Sequence, residues 1–99
     1  MSNSTDLSQK RFAIVVIGRV QGVGFRFFTK ETADMYGITG WVRNCFNGSV
    51  EIEAQGKTEL LKHFFREINK GPLFGHVSEV KKKEIKLIID DATFVIRYS

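Results

Sequence analysis

The sequence predicts an α+β domain in which two helices cover one face of a mostly antiparallel sheet. Three observations carry that expectation. Hydrophobic periodicity switches between strand-like and helix-like segments in the order β-α-β-β-α-β-β. An Asn47-Gly48 dipeptide separates the second and third strand candidates, which marks a hairpin and therefore antiparallel neighbours. The 99 residues are 42% hydrophobic and 26% charged, the length and composition of one globular domain with a core of its own. That order of elements describes the split βαβ, or ferredoxin-like, arrangement. Right-handed crossovers then place the first and third strands side by side at the centre, with the second flanking the third.

Each element has its own signal. Phe12 to Ile17 is an unbroken, β-branched-rich apolar run ending at Gly18, and it reads as a central strand covered on both faces or nearly so. Phe25, Phe28, Thr32, Met35 and Tyr36 recur at helical spacing, with Gly37 following as the C-cap signal. Gly40 to Asn44 is a short strand; Ser49 to Gln55 alternates, with Val50, Ile52 and Ala54 opposite Ser49, Glu51 and Glu53. Leu61, Phe64, Phe65 and Ile68 fall at i, i+3, i+4 and i+7, which predicts a second helix from Thr58 to Asn69, stopped by Gly71-Pro72. His63 falls on its solvated flank. Val77 to Ile89 reads as a long strand whose Lys81 to Lys83 run suits a wet edge. Asp90-Asp91 makes a turn, and Phe94, Ile96 and Tyr98 alternate with Val95 and Arg97 in a last strand. Nine phenylalanines predict a well-filled core, and the polar residues 1–9 read as a flexible tail before a domain spanning 10–99.

Composition removes several classes of function. The first residues lack the apolar stretch of a signal peptide, and no segment approaches the roughly 20 apolar residues that span a bilayer, so a cytoplasmic protein with no membrane partner is expected. The sequons at Asn3 and Asn47 are discounted for the same reason. Cys45 is the only cysteine, which excludes an intramolecular disulfide and reads as structural. A cysteine nucleophile followed six positions later by arginine fails, because position 51 is Glu51. Two histidines without paired cysteines do not make a zinc site. The net charge of +4 draws anions without choosing among them.

The candidate site begins with Gly18 to Arg26, GRVQGVGFR, where a glycine-punctuated turn follows a strand and opens a helix. The first helical N–H groups lack intrahelical partners and the helix dipole favours an anion there. Gly22 and Gly24 allow a ligand to approach the backbone, and Arg26 offers a planar fork to two phosphate oxygens. The P-loop pattern counted from Gly18 fails at Val23-Gly24-Phe25, and the dinucleotide fingerprint counted from Gly22 fails at Phe27. Asn44 ends the second strand, which topology brings toward this cradle. A neutral amide carries donors and an acceptor, so it can hold a water in line with a bound phosphorus without adding negative charge; the alternative is an asparagine that bonds local turn backbone. No carboxylate lies between Gly18 and Phe28. Such a site suits an acyl phosphate, whose leaving carboxylate has a conjugate acid pKa of about 4 and needs little protonation.

VQGVGFR, GWVRN, NGSVEIEAQG, Gly71-Pro72 and the closing FVIRY together resemble the acylphosphatase family, over Phe12 to Tyr98. The resemblance implies hydrolysis of the carboxyl-phosphate bond of a small-molecule acyl phosphate, with Arg26 binding the phosphate and Asn44 orienting the attacking water. It implies a phosphate loop of main-chain N–H groups from Gln21, Gly22, Val23, Gly24, Phe25 and Arg26. It further implies no metal, no organic cofactor and no covalent phosphoenzyme, with inorganic phosphate or sulfate as product or inhibitor and a monomer as the working form. The sequence departs from the family pattern at Cys45, Phe46 and Gly24. Two other readings remain open. An open sheet face could bind RNA, although the third strand turns Glu51 and Glu53 outward and no aromatic, so no nucleic-acid partner is expected. A non-catalytic anion-binding domain of a larger maturation enzyme is the other; with no further domain after Ser99, a standalone enzyme is expected.

Overall fold

The computed structural model describes residues 8–98. The elements run in the expected order: β1 (Gln9–Arg19), α1 (Phe25–Met35), β2 (Thr39–Asn44), β3 (Val50–Lys57), α2 (Thr58–Lys70), β4 (His76–Ile85) and β5 (Phe94–Arg97). The sheet order is β4-β1-β3-β2-β5. Neighbours are antiparallel except β2 and β5, which run parallel. This is the ferredoxin-like α+β arrangement, with β1 and β3 adjacent at the centre.

Register explains the core. Ile14 lies opposite Ile52 and Val16 opposite Val50, while Val42 pairs with Ile52 from the other side. All five are fully buried beneath the helices. Because alternate strand residues point to opposite faces, Ala13, Val15 and Ile17 take the other side, where they are only half-buried. Of the two faces expected to be covered or nearly so, the one beneath the helices is fully buried and the other only partly.

The stripe of α1 that faces the sheet is Phe25, Thr29, Thr32 and Ala33. The hydroxyls of Thr29 and Thr32 donate to the carbonyls of Phe25 and Phe28, both at 2.8 Å, so their burial leaves no polar group unmet. Met35, expected on this stripe, is 73% exposed; at about 100° per residue it lies roughly a quarter turn from the stripe's centre. The helix closes as a Schellman motif, with Ile38 N–H donating to Ala33 O and Gly37 N–H to Asp34 O. On α2 the buried residues are Leu61, Phe64 and Ile68. Phe65 meets Phe12 edge-on, with ring centroids 5.2 Å apart. The nine phenylalanines divide: Phe25, Phe64 and Phe94 fill the core, whereas Phe27, Phe46 and Phe74 are largely exposed.

β4 stops at Ile85, four residues short of the expected end, and residues 86–93 fold back over the open sheet face. A buried polar cluster draws them there. The Arg11 guanidinium, 1% exposed, bonds Glu53 at 2.9 Å, Asp91 at 2.7 Å and the side-chain carbonyl of Gln55 at 3.2 Å. Gln55 in turn bonds Ile88 twice, accepting from its N–H and donating to its carbonyl, both at 2.9 Å. The turn falls at Ile89-Asp90, one residue earlier than expected, and Asp90 adopts φ 64. Trp41 also faces the open side, where the guanidiniums of Arg43 and Arg97 lie 5.5 and 4.4 Å from its ring centroid. Among the described residues no helix is long and apolar enough to cross a membrane.

Candidate active site

The cradle is a four-residue turn, 21–24, between β1 and α1. Its ends are anchored by Val20 and Phe25, each 1% exposed in the core. Gly24 is the N-cap of α1 in the left-handed conformation, φ 78 and ψ 22, and Gly22 has φ 75. Any residue with a Cβ is strained there, which is why glycine occupies both positions. No side chain caps the helix and its first turn holds no acid. The first helical bond runs from Phe28 N–H to Gly24 O at 3.0 Å, so the N–H groups of Phe25, Arg26 and Phe27 stand ahead of the ladder.

Arg26 is half-buried and held from the far end of the chain. Its Nη1 donates to Arg97 O at 3.4 Å, and its guanidinium stacks 4.7 Å from the Tyr98 ring centroid. Among the described residues no carboxylate forms an ion pair with it. The contrast with Arg43 is instructive. Arg43, on the opposite sheet face, is tied to Glu51 at 2.7 and 2.8 Å, and the hydrogen bond and charge of Glu51 push its pKa above the ordinary guanidinium value.

Asn44 ends β2, opposite Val50. The hairpin beyond it is closed by Cys45 N–H to Ser49 O at 2.8 Å and by Gly48 N–H to Cys45 O at 3.1 Å, with Gly48 at φ 95. Its loop is therefore three residues long, a turn followed by a left-handed glycine. Asn47 bonds the local backbone, its Oδ1 accepting from Ser49 N–H at 3.0 Å and Ser49 Oγ at 2.7 Å. Asn47 thus supplies a side-chain bond to the turn backbone, and Asn44 lines the cavity described next.

Gly22, Gly24, Phe25, Arg26 and Asn44 line one cavity of about 220 Å³, completed by Val20, Phe27, Ile96 and Tyr98. Gln21 and Val23, also expected in the cradle, do not line it. Val23 packs against the core. The Gln21 side chain turns to the hairpin, its Nε2 donating to Cys45 O at 2.7 Å and to Ser49 O at 2.8 Å. Sequence reasoning missed that contact, the Arg97 carbonyl and the Tyr98 ring. Only Tyr98 left a signal, through its alternation in phase with Ile96. Among the described residues no three or more His, Cys, Asp or Glu side chains are placed to hold a metal ion.

The model of the acylphosphatase family matches residues 12–96. The chain belongs to that family. Its sequence is 48% identical over 88 residues to an acylphosphatase of Bacillus licheniformis, covering 89% of this chain and 98% of that protein. The crystal structure of an acylphosphatase from Bacillus subtilis superposes with a TM-score of 0.86 at 37% identity, over 90% of this chain and 99% of that one. An acylphosphatase from Coxiella burnetii superposes with a TM-score of 0.85 at 30% identity, over 97% and 100%. Membership in the acylphosphatases brings the general activity with it: the chain is a hydrolase acting on acyl phosphates. The helix-on-sheet layout around the cavity is accordingly the acylphosphatase fold.

Proposed function

We propose that Arg26 and the N–H groups at the start of α1 hold the phosphate of an acyl phosphate, and that Asn44 aligns the water that attacks it. The observation that carries this reading is the convergence of both side chains on one cavity, with no carboxylate paired to Arg26 among the described residues and no side-chain cap on the helix. An arginine paired with an acid would have to surrender that pair to take a phosphate; the partners of Arg26 among the described residues are a carbonyl and an aromatic ring.

The chemistry then runs in line. The water oxygen bonds to phosphorus while the phosphorus–oxygen bond to the acyl group breaks, and the carboxylate leaves with the bonding electrons. The water proton passes to the phosphate or to bulk solvent. Since the departing carboxylate is the base of an acid with pKa near 4, no general acid is required. Negative charge on the transferring group is met by the guanidinium and backbone N–H donors, a task worth about 3–4 kcal/mol for one well-placed donor. Asn44 contributes through position, since a water held in attack geometry avoids much of the entropy of a bimolecular encounter.

The test uses benzoyl phosphate, with a chelator present throughout. Arg26→Ala is expected to lower kcat/KM by at least a hundredfold and to weaken competitive inhibition by inorganic phosphate. Asn44→Ala is expected to lower kcat by a similar factor while phosphate inhibition persists. Unchanged phosphate inhibition in folded Arg26→Ala refutes the clamp; full turnover in Asn44→Ala refutes the role given to the amide.

A further inference from the structure

Gln21 sits in the cradle, yet its side chain leaves the cavity and bridges to the β2–β3 hairpin. Its amide nitrogen donates one hydrogen bond to Cys45 O at 2.7 Å and the other to Ser49 O at 2.8 Å. Both carbonyls already take part in closing the hairpin, Cys45 O accepting from Gly48 N–H and Ser49 O from Cys45 N–H. Gln21 therefore uses their second lone pairs. A primary amide is the one neutral side-chain group that offers two donors from a single nitrogen, and both are spent here.

The two points it joins are the two halves of the site. Gln21 precedes Gly22 in the cradle, and Cys45 follows Asn44. β1 and β2 are not neighbours in the sheet, because β3 lies between them. The distance from cradle to Asn44 is thus set across an intervening strand, and Gln21 is a direct tie over that gap. We infer that Gln21 is a positioning residue for hydrolysis: its amide fixes the hairpin against the phosphate cradle, and so fixes where Asn44 holds water relative to phosphorus. This rests on the role given to Asn44 above. Positional errors of about 1 Å in a reacting group can cost a hundredfold in rate, so a pair of hydrogen bonds outside the cavity has the leverage to matter.

Gln21→Met keeps the length and removes both donors. Each carbonyl retains its hairpin hydrogen bond, so the variant is expected to fold, and Gln21→Asn, which keeps the amide on a shorter stem, serves as a second probe. In either variant kcat for benzoyl phosphate is expected to fall tenfold or more, while the inhibition constant for inorganic phosphate moves less than threefold. The decisive measurement is a cycle with Asn44→Ala. If Gln21 acts through Asn44, Gln21→Met causes no further loss of kcat in the Asn44→Ala background. An equal loss in both backgrounds, a parallel weakening of phosphate inhibition, or unchanged kcat in Gln21→Met overturns the inference. Full turnover in Asn44→Ala alone sinks it together with the reading of Asn44, whereas impaired Asn44→Ala beside normal Gln21→Met sinks the Gln21 role only.

Discussion

Two arginines of this chain show how the same side chain acquires different duties from its surroundings. Arg43 is neutralised by Glu51 on the open sheet face. Among the described residues, Arg26 on the helix side has as polar and aromatic partners the Arg97 carbonyl and the Tyr98 ring. Both of those contacts depend on the planar guanidinium, which stacks flat on an aromatic and directs its N–H groups in a fixed fork. Lysine at this position keeps the charge and loses the geometry. Arg26→Lys is accordingly expected to lose at least a hundredfold in kcat/KM for benzoyl phosphate, about 2.7 kcal/mol of transition-state stabilisation. Steady-state kinetics beside phosphate inhibition reads it directly. Recovery to within threefold of the parent would show that charge alone suffices.

At the scale of elements, the placement of Asn44 depends on β2 pairing closely with β3. Gly40 makes that approach possible. It adopts φ 135, and a Cβ there would overlap the carbonyl oxygen of Glu53, which as backbone in the central strand has no room to yield. Gly40→Ala is therefore expected to cost on the order of 3 kcal/mol, the upper part of the range for overpacking. Urea unfolding checks this, with a lower midpoint and unchanged slope expected. A loss below about 0.5 kcal/mol would mean that the β2–β3 pairing relaxes freely. The register that Gly40 protects also sets Asn44 opposite Val50, at the mouth of the hairpin.

Across the whole molecule, the long return from β4 to β5 is secured by Arg11. Its guanidinium joins Glu53 on β3, Gln55 through its side chain, and Asp91 in the loop, while being almost wholly excluded from water. Removing one member of a buried charge cluster leaves the others uncompensated, so Arg11→Ala is expected to lower stability by about 3 kcal/mol. Thermal unfolding should show a fall on the order of 12–24 °C for a domain of this size. Faster proteolysis within residues 86–93 should accompany it, since the loop loses its anchor. A loop that stays protected in the variant would show that the Gln55 bonds to Ile88 hold it unaided. Because β5 follows this loop and delivers Tyr98 to Arg26, the same variant links stability at one end of the sheet to the site at the other.

Local pattern was enough to read the order of elements, the single-sided helix packing and the two motifs that frame the cavity. Strand alternation, helical spacing and glycine-punctuated turns are imposed by backbone geometry within a few residues, and so they show in the sequence. The same is true of Arg26 and Asn44, whose neighbours along the chain mark them. The role of Arg11, the outward turn of Met35 and Phe46, the early end of β4 and the tie from Gln21 to the hairpin were decided only in three dimensions. Each depends on which atom of a distant segment lies within about 3 Å, a matter of register and packing summed over the whole sheet. A glutamine in a loop looks the same in sequence whether its amide meets water or clasps two carbonyls 24 and 28 residues away.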